Sequence, residues 1–463
     1  MKKGKCILLV IIILALASCK PDDPTPLPNP NPGPTAADSV ETIIPTGDEK
    51  YLNTKSDYIF DQNKLHTFEL NLPASSLAFL DADPAKEQYV EGSLTFEGET
   101  ISPVGIRYKG SIGGFVGCVS GSDWNNPSGR KTCPKLSMKV KINWEENAET
   151  KFYKLKKLQF HSMNLDPTQM RDRLGYHLFR EMGVPAPRSV HARLMVNGEY
   201  VGVFALVEQI DGRFTRFNYE NGEGNLYKEV WPLDHRGIVQ ANRTLLEALK
   251  TNEDDNPSVA LMRQFGEEIE QADPDSMRAV IEKWMDVDEI IAYAAVDRVI
   301  RNDDGAFHWY CSLFGCNNHN YYWYEDPVRE KMHLIPWDLD NAFENIRSNV
   351  NPVTPIADEW GETRNDCKRF LFGSFGFSQR SAACDKLTAG WALFMDLYEQ
   401  KKEELINGPM AEAEVEALLD TWKEQIREAT AEAKQTHPDA LSLSEWDAAV
   451  LNLKLDLEFA RKN

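Results

Sequence analysis

The chain has 463 residues, 42% of them hydrophobic, which is enough for one large two-lobed unit or two domains with a sizeable core. Its formal net charge of −21 at pH 7 excludes non-specific binding to nucleic acid, because so acidic a chain repels the phosphate backbone. The charge is compatible with basic or metal-bridged partners, and it equally serves solubility alone.

The first residues predict an export signal. A charged start precedes the apolar stretch Cys6–Ala17, which is too short to span a membrane comfortably. Leu16–Cys19 reads as a bacterial lipobox, with cleavage before Cys19 and lipid on its sulfur. We therefore expect residues 1–19 to be a lipoprotein signal peptide and the lipid to be the sole membrane attachment. Lys20–Asp23 resembles the surface-export signal of Bacteroidetes lipoproteins, which predicts an outer-membrane-anchored, surface-exposed protein.

A tether and a strand-rich unit follow. Residues 20–50 are rich in Pro, Asn and Asp, and predict an extended linker. Residues 51–210 are expected to be mostly strand, because several segments alternate polar and apolar side chains. These segments are Leu65–Leu72, Ser93–Gly98, Val104–Gly110 and Lys135–Ile142.

One helix and one hairpin stand out in this unit. Asp166 is a suitable N-cap with Pro167 at the first helical position, and Gly183 is a suitable residue to end the helix. Ser189–Gln209 predicts a β-hairpin whose two-residue turn is Asn197-Gly198.

Helical patterns dominate residues 211–463. Val287–Ile300 and Ala389–Ile406 each predict a helix, and Ala411–Arg461 predicts at least two more. A strand-rich first half followed by a helix-rich second half predicts an α+β fold.

Cysteine usage also fits an exported chain. Six cysteines follow the lipobox, and an even number in such a chain predicts disulfides. Proximity in sequence favours one of the fifteen possible connectivities, in which the pairs are Cys118–Cys133, Cys311–Cys316 and Cys367–Cys384.

The most informative segment runs from Arg301 to Phe343. Acidic residues lie at both of its ends and an amide lies between them, beside two apolar runs that predict buried strands. The polar residues are Asp303, Asp304, Asn320, Asp338 and Asp340. Carboxylate and amide oxygens suit Mg²⁺ or Mn²⁺, although Asp is also a common turn residue. Alternation along an extended backbone places Asp338 and Asp340 on one face.

These residues resemble the CotH kinase family, the spore-coat protein H-like proteins. The matching elements cover about Gly105–Phe343, and the region beyond them carries no recognised motif. In chain order they are Arg107–Ser111, Asp166-Pro167, Met170–Asp172, Gly183–Arg188, Val196–Tyr200, Val207–Asp211, Leu226–Lys228, Asn302–Asp304, Asn320–Tyr322 and Ile335–Asp340. The resemblance implies an atypical protein-kinase-like fold, with an N-lobe at residues 51–210 and a C-lobe at 211–463.

The resemblance also implies an activity. A monomeric chain would transfer the γ-phosphoryl group of ATP, with Mg²⁺ or Mn²⁺, to Ser or Thr of an exported or surface protein. Asp304 would orient or deprotonate the acceptor hydroxyl, and Asp303 takes this role if the register is off by one. Asn320 and Asp338 would hold the metal, with Asp340 assisting or replacing Asp338.

Five residues are candidates for nucleotide binding, and each also has an ordinary structural interpretation. The basic ones are an arginine early in the predicted helix and three lysines, in a glycine-rich turn, on a strand face and after a short strand. The acidic one ends the hairpin and could contact adenine or order a lysine. They are Lys109, Lys139, Arg171, Glu208 and Lys228.

Two features leave alternatives open. About ten residues more than is usual in the family, centred on Cys311–Cys316, separate Asp304 from Asn320, and Trp309-Tyr310 offers a second alignment that lacks the metal-binding amide. A non-catalytic surface-binding or adhesion module on a pseudokinase-like fold is therefore the alternative. Paired carboxylates would also serve a metal-dependent or polysaccharide hydrolase, although nothing else in the chain singles that out.

Overall fold

The computed structural model describes residues 56–462, except 111, 116, 124–125, 146–149, 255, 303, 314, 348–365 and 373–376. The predicted signal peptide with Cys19, the predicted tether and Asp303 lie outside the described residues. Among the described residues no helix is both long and apolar enough to cross a membrane.

The first half of the chain forms a closed β-barrel. Its strands are β1 (His66–Asn71), β2 (Val90–Phe96), β3 (Glu99–Tyr108), β4 (Met138–Lys141), β5 (Lys157–His161), β6 (Ser189–Val196) and β7 (Glu199–Val207). They run in the order β1-β2-β3-β4-β5-β7-β6. Neighbours pair antiparallel, except that β1 and β6 pair parallel and close the barrel. The predicted Asn197-Gly198 turn is confirmed, with φ of 51° and 80° at its two residues.

Alternation along the strands divides the barrel into two faces. Phe68, Ile106 and Phe160 point into a core shared by the strands, where aromatic rings contact each other. Burying these side chains is the main source of stability for the barrel. The alternate positions on β3, β4 and β5 face outward, and several of them are polar.

The described residues of this half include three helices: α1 (Ala74–Ala82), α2 (Ile112–Phe115) and α3 (Arg171–Glu181). Only α3 was predicted, and it begins later than expected. The carboxylate of Asp166 accepts hydrogen bonds from the backbone N–H groups of Thr168 and Arg171, both at 2.9 Å, so it stabilises the turn before the helix. Gly183 has φ of 79° and follows the helix end, as predicted.

Where the structure describes it, the second half combines helices with two small sheets. The helices are α4 (Gly212–Asn218), α5 (Asn242–Glu247), α6 (Ala260–Gln271), α7 (Met277–Trp284), α8 (Val287–Val299), α9 (Lys386–Trp391), α10 (Met395–Asn407), α11 (Glu412–Thr436) and α12 (Leu443–Lys462). The strands are β8 (Leu226–Lys228), β9 (Trp309–Ser312), β10 (Gly315–Asn317), β11 (Tyr321–Asp326), β12 (Lys331–Pro336), β13 (Phe370–Phe372) and β14 (Phe377–Arg380). One sheet has the order β12-β11-β8 and the other β10-β9-β14-β13.

These elements confirm the predicted α+β class, with one correction to the helices. Ala389–Ile406 is not a single helix, because a 3₁₀ turn at Ala392–Phe394 separates α9 from α10. Phe394 leaves helical geometry, with φ of −109° and ψ of 32°.

The three disulfides pair as proximity in sequence favoured: Cys118–Cys133, Cys311–Cys316 and Cys367–Cys384. The middle pair closes the hairpin formed by β9 and β10, where Cys311 and Cys316 face each other in register. The segment between Asp304 and Asn320 therefore contributes two paired strands, β9 and β10, to the four-stranded sheet.

The last two helices brace the barrel from outside. Helix α11 packs on β7, where the Tyr200 hydroxyl donates to the Ala429 carbonyl at 3.0 Å. In α12, the indole N–H of Trp446 donates to the carbonyl of Thr168, just before α3, at 2.9 Å. Arg173 of α3 in turn lies 4.2 Å above the ring of Trp422 in α11.

Candidate active site

A cleft of about 990 Å³ lies between the barrel and the helical half. Its wall includes most of the site residues expected from the sequence, contributed by both halves of the chain. These are Lys109, Lys139, Lys228, Asp304, Asn320, Asp338 and Asp340. Arg171 and Glu208 are not part of this wall, although they were expected to bind nucleotide.

Asp304 and Asn320 meet despite the hairpin between them. The Asn320 side-chain amide donates to Oδ2 of Asp304 at 2.8 Å. Asn320 directly precedes β11, and its carbonyl accepts a hydrogen bond from the N–H of Trp337 at the end of β12. Trp309 is buried in the core instead, against Trp231. The geometry therefore favours the alignment in which Asn320, not Trp309-Tyr310, supplies the amide.

The electrostatic surroundings of Asp304 suit a base. Burial raises the pKa of its carboxyl to about 6. This value already includes the charges of Asp338 and Glu229, which raise the pKa, and His319 and a hydrogen bond from Tyr310, which lower it. A carboxyl group with a pKa near the working pH can accept a proton and release it again.

The two other aspartates lie in a short segment, residues 337–340, that follows β12. Asp338 has a left-handed backbone with φ of 54°, which is strained for a residue other than glycine. Helix α3 holds this backbone: the N–H of Asp338 donates to the Tyr176 hydroxyl at 2.9 Å, and the N–H of Leu339 donates to Asp172 at 3.0 Å. Two hydrogen bonds to helix α3 therefore hold the strained backbone in place.

The negative charge at this end of the cleft is concentrated enough to attract a cation. Burial raises the pKa of Asp340 well above its usual range, and the charges of Asp338, Asp172 and Asp304 raise it further. A divalent ion among these oxygens would relieve the repulsion and lower that pKa. Together with Asn320 they form the all-oxygen donor set that Mg²⁺ or Mn²⁺ prefers.

The opposite wall of the cleft presents hydrogen-bond donors. Arg107, Lys139 and Gln159 lie side by side on β3, β4 and β5, and all three are buried. Lys109 lies two residues after Arg107, and His161 lies two residues after Gln159. Nζ of Lys109 is 2.7 Å from Nε2 of His161. A row of cationic and amide donors facing a cluster of carboxylates is suited to a metal-bound polyphosphate.

Arg171 and Glu208 have structural partners elsewhere. Arg171 donates to the carbonyl of Asp340 at 3.1 Å, so it supports the 337–340 segment from outside the cleft. The Glu208 carboxylate is buried and pairs with Arg188 at 2.6 Å and Arg213 at 3.0 Å. These pairs join the end of the hairpin to α4, and they leave Glu208 no contact with the cleft.

Sequence reasoning missed several residues of the site. Asp172 was visible in the Met170–Asp172 element, but no role was assigned to it. His161 and Gln159 carried no signal beyond their places in a strand. The turn between α11 and α12, including His437 and Leu441, also lines the cleft, and its sequence carries no motif.

Comparison with models of protein families shows which family the chain belongs to. The family model described as CotH kinase protein matches residues 106–462, which is most of the chain. The chain belongs to the CotH kinase family. No curated protein matches it.

Nine chains of solved structures match, at low similarity. One is the HipA, HipB and operator DNA complex of a Shewanella oneidensis toxin–antitoxin system, with 16% identity and a TM-score of 0.26; the alignment covers 67% of this chain and 59% of that one. Another is the Helicobacter pylori proinflammatory kinase CtkA, with 10% identity and a TM-score of 0.22, covering 68% of this chain and 94% of that one.

Proposed function

We propose that this CotH kinase family member is an atypical protein kinase that transfers the γ-phosphoryl group of ATP to Ser or Thr of an exported or surface protein. The observation that carries the proposal is a cleft in which Asp304, hydrogen-bonded to Asn320, lies with Asp338 and Asp340 opposite the lysine-bearing barrel face. The N-terminal sequence motivates the exported acceptor.

Asp304 is the base in this proposal. It accepts the proton of the acceptor hydroxyl as that oxygen bonds to the γ-phosphorus and the bond to the β-phosphate oxygen breaks. Asn320, Asp338 and Asp340 would hold a divalent ion, which would neutralise charge on the phosphates. Lys139, on the barrel face, neutralises phosphate charge from the other side.

The test uses residues 46–463 with ATP and Mg²⁺ or Mn²⁺, and measures ATP binding, ATP turnover and autophosphorylation. Asp304→Asn should abolish phosphoryl transfer while ATP binding persists, because the base is lost and the metal ligands remain. Asp338→Ala should weaken metal-dependent binding as well. Asp420→Asn is the matched control, since Asp420 lies on the exposed side of α11 and pairs with Lys454.

A surface-binding module is the second candidate, and one observation favours it. The disulfide-closed sheet of β9, β10, β13 and β14 carries two strongly exposed apolar side chains, Leu313 and Leu371, which are 81% and 72% exposed. Apolar side chains exposed to this degree are available for contact with a partner surface. A folded protein that binds no nucleotide in the test above would favour this function, and a protein or glycan ligand screen would follow.

The proposed location has its own test. If Cys19 carries the lipid, Cys19→Ala should shift the protein from the membrane fraction to the soluble fraction of cells that express the full chain. Membrane association that is unchanged in the variant would contradict the lipoprotein proposal.

A further inference from the structure

Three polar contacts link the barrel wall of the cleft to its acidic end. Lys109 Nζ lies 2.7 Å from Nε2 of His161, and Nδ1 of His161 lies 3.0 Å from Oδ2 of Asp172. The second carboxylate oxygen of Asp172 accepts the N–H of Leu339 at 3.0 Å. His161 and Asp172 are both buried, at 6% and 2% exposure. The contacts therefore run from β3 through β5 and α3 to the 337–340 segment.

Hydrogen-bond chemistry fixes the role of each group. A lysine ammonium only donates, so Nε2 of His161 is the acceptor. The neutral imidazole then carries its proton on Nδ1 and donates it to the Asp172 carboxylate. Asp172 thus receives one donor from each side, the imidazole of β5 and the backbone of Leu339.

The same cluster has a second interpretation, as a metal-binding site. His161, Asp172 and Asp338 present ligand atoms within 4.8 Å of one another. However, the Lys109 ammonium lies 2.7 Å from the imidazole and would repel a cation bound to it. Nδ1, the ring nitrogen on the side of Asp172, is already engaged by that carboxylate. The contacts favour orientation of the lysine over metal ligation by the ring.

We propose that His161 and Asp172 are positioning residues that orient the Lys109 ammonium toward the nucleotide phosphates and connect it to the metal-binding segment 337–340. The proposal rests on the kinase function proposed above and assigns the lysine its supporting groups. A lysine side chain is long and flexible, so a fixed acceptor removes conformational freedom before phosphate binds. In protein kinases a helix glutamate pairs directly with the phosphate-binding lysine. Here an imidazole lies between the carboxylate of α3 and the lysine.

The first experiment needs neither nucleotide nor metal. NMR of ¹⁵N-histidine-labelled protein should show His161 as the tautomer protonated on Nδ1, with its signals assigned by their loss in His161→Gln. Lys109→Met should shift the Nε2 resonance, because the donor is gone, and Asp172→Asn should shift the Nδ1 resonance. His161 signals that stay unchanged in both variants would overturn the proposed chain of contacts.

The second experiment measures the affinity for ADP by calorimetry without metal. His161→Ala and Lys109→Met should each lower the affinity roughly ten- to a hundredfold, the range expected for a charge-assisted hydrogen bond. The double variant should be no weaker than the weaker single variant, because both changes disrupt one interaction. His66→Ala is the matched control: His66 is also 6% exposed in the barrel and contacts the Tyr58 carbonyl at 2.8 Å, outside the cleft.

The outcomes separate this inference from the proposed function. Unchanged ADP affinity in His161→Ala, or additive losses in the double variant, would overturn the positioning role while nucleotide binding by the unaltered chain still stands. Absence of ADP binding by the unaltered chain would contradict the kinase proposal, and the phosphate role of Lys109 would fall with it. In that case the NMR pattern would identify the contacts as structural only.

Discussion

Gly175 offers a sharp test of how α3 supports the acidic segment. A Cβ at this position would lie 2.7 Å from Cδ1 and 3.3 Å from Cβ of Leu339, whose side chain is fully buried. Gly175→Ala therefore brings two opposing effects. Alanine favours a helix over glycine by about 1 kcal/mol, whereas overpacking of a buried contact typically costs about 1–3 kcal/mol. We expect a net loss of roughly 0–2 kcal/mol in the free energy of unfolding, with Leu339 displaced.

The displacement should also reach the metal site, because Asp338 and Asp340 flank Leu339 in the chain. We expect the affinity for Mn²⁺ to fall about tenfold, since a small misplacement of ligands is costly. Thermal unfolding and Mn²⁺ calorimetry measure the two effects. Ala417→Gly in the exposed part of α11 is the control for helix propensity alone, and should lose about 1 kcal/mol with Mn²⁺ affinity unchanged. A Gly175→Ala protein that gains about 1 kcal/mol and keeps its Mn²⁺ affinity would refute the reasoning.

Three further predictions concern groups outside the acidic segment. Glu208→Ala should lower the free energy of unfolding by about 3–5 kcal/mol, because two arginines lose their buried partner, while the KM for ATP stays unchanged; a raised KM at full stability would contradict this. Burial raises the pKa of the Glu325 carboxyl from 4.5 to about 7. The native state therefore binds the carboxyl proton more tightly than the unfolded state does. The free energy of unfolding consequently falls as the pH rises from about 4.5 to about 7. Glu325→Gln should therefore gain about 2–3 kcal/mol over the parent between pH 5 and pH 8 in urea unfolding, and a pH-independent difference would count against it. Replacing Cys118 and Cys133 by serine should cost about 3 kcal/mol, as expected for a 15-residue loop, and thermal unfolding of the folded variant checks it.

Local patterns predicted much of the fold. The Asn197-Gly198 turn and the strand after Asn320 were predictable because turn chemistry and apolar runs act within a few residues. The placement of Asp338 and Asp340 just after a strand followed in the same way. The disulfide of Cys311 with Cys316 was also predictable, because five positions separate the two residues.

What the sequence did not predict depends on contacts between distant segments. Glu208 looked like a strand-end residue near a lobe linker, and its arginine partners became visible only in three dimensions. His161 lies 52 positions from Lys109, and no local pattern marks such a pair. Asp166 resembles a helix cap in sequence, but the backbone turns once more before α3 begins, and in that turn the Thr168 carbonyl accepts a hydrogen bond from Trp446 of the distant helix α12.

The helical hairpin of α11 and α12 has a consequence for substrate entry. It is seated on β7 through Tyr200, and Trp446 of the same hairpin is hydrogen-bonded to the segment before α3. Separating the barrel from the rest of the chain would therefore break contacts that bury large aromatic groups. When a ligand binds in such a preorganised cleft, little of the binding free energy is needed to close the domains. Changes in α11 or α12, far in sequence from the elements at Gly105–Phe343, should then alter affinity by loosening the architecture around the cleft.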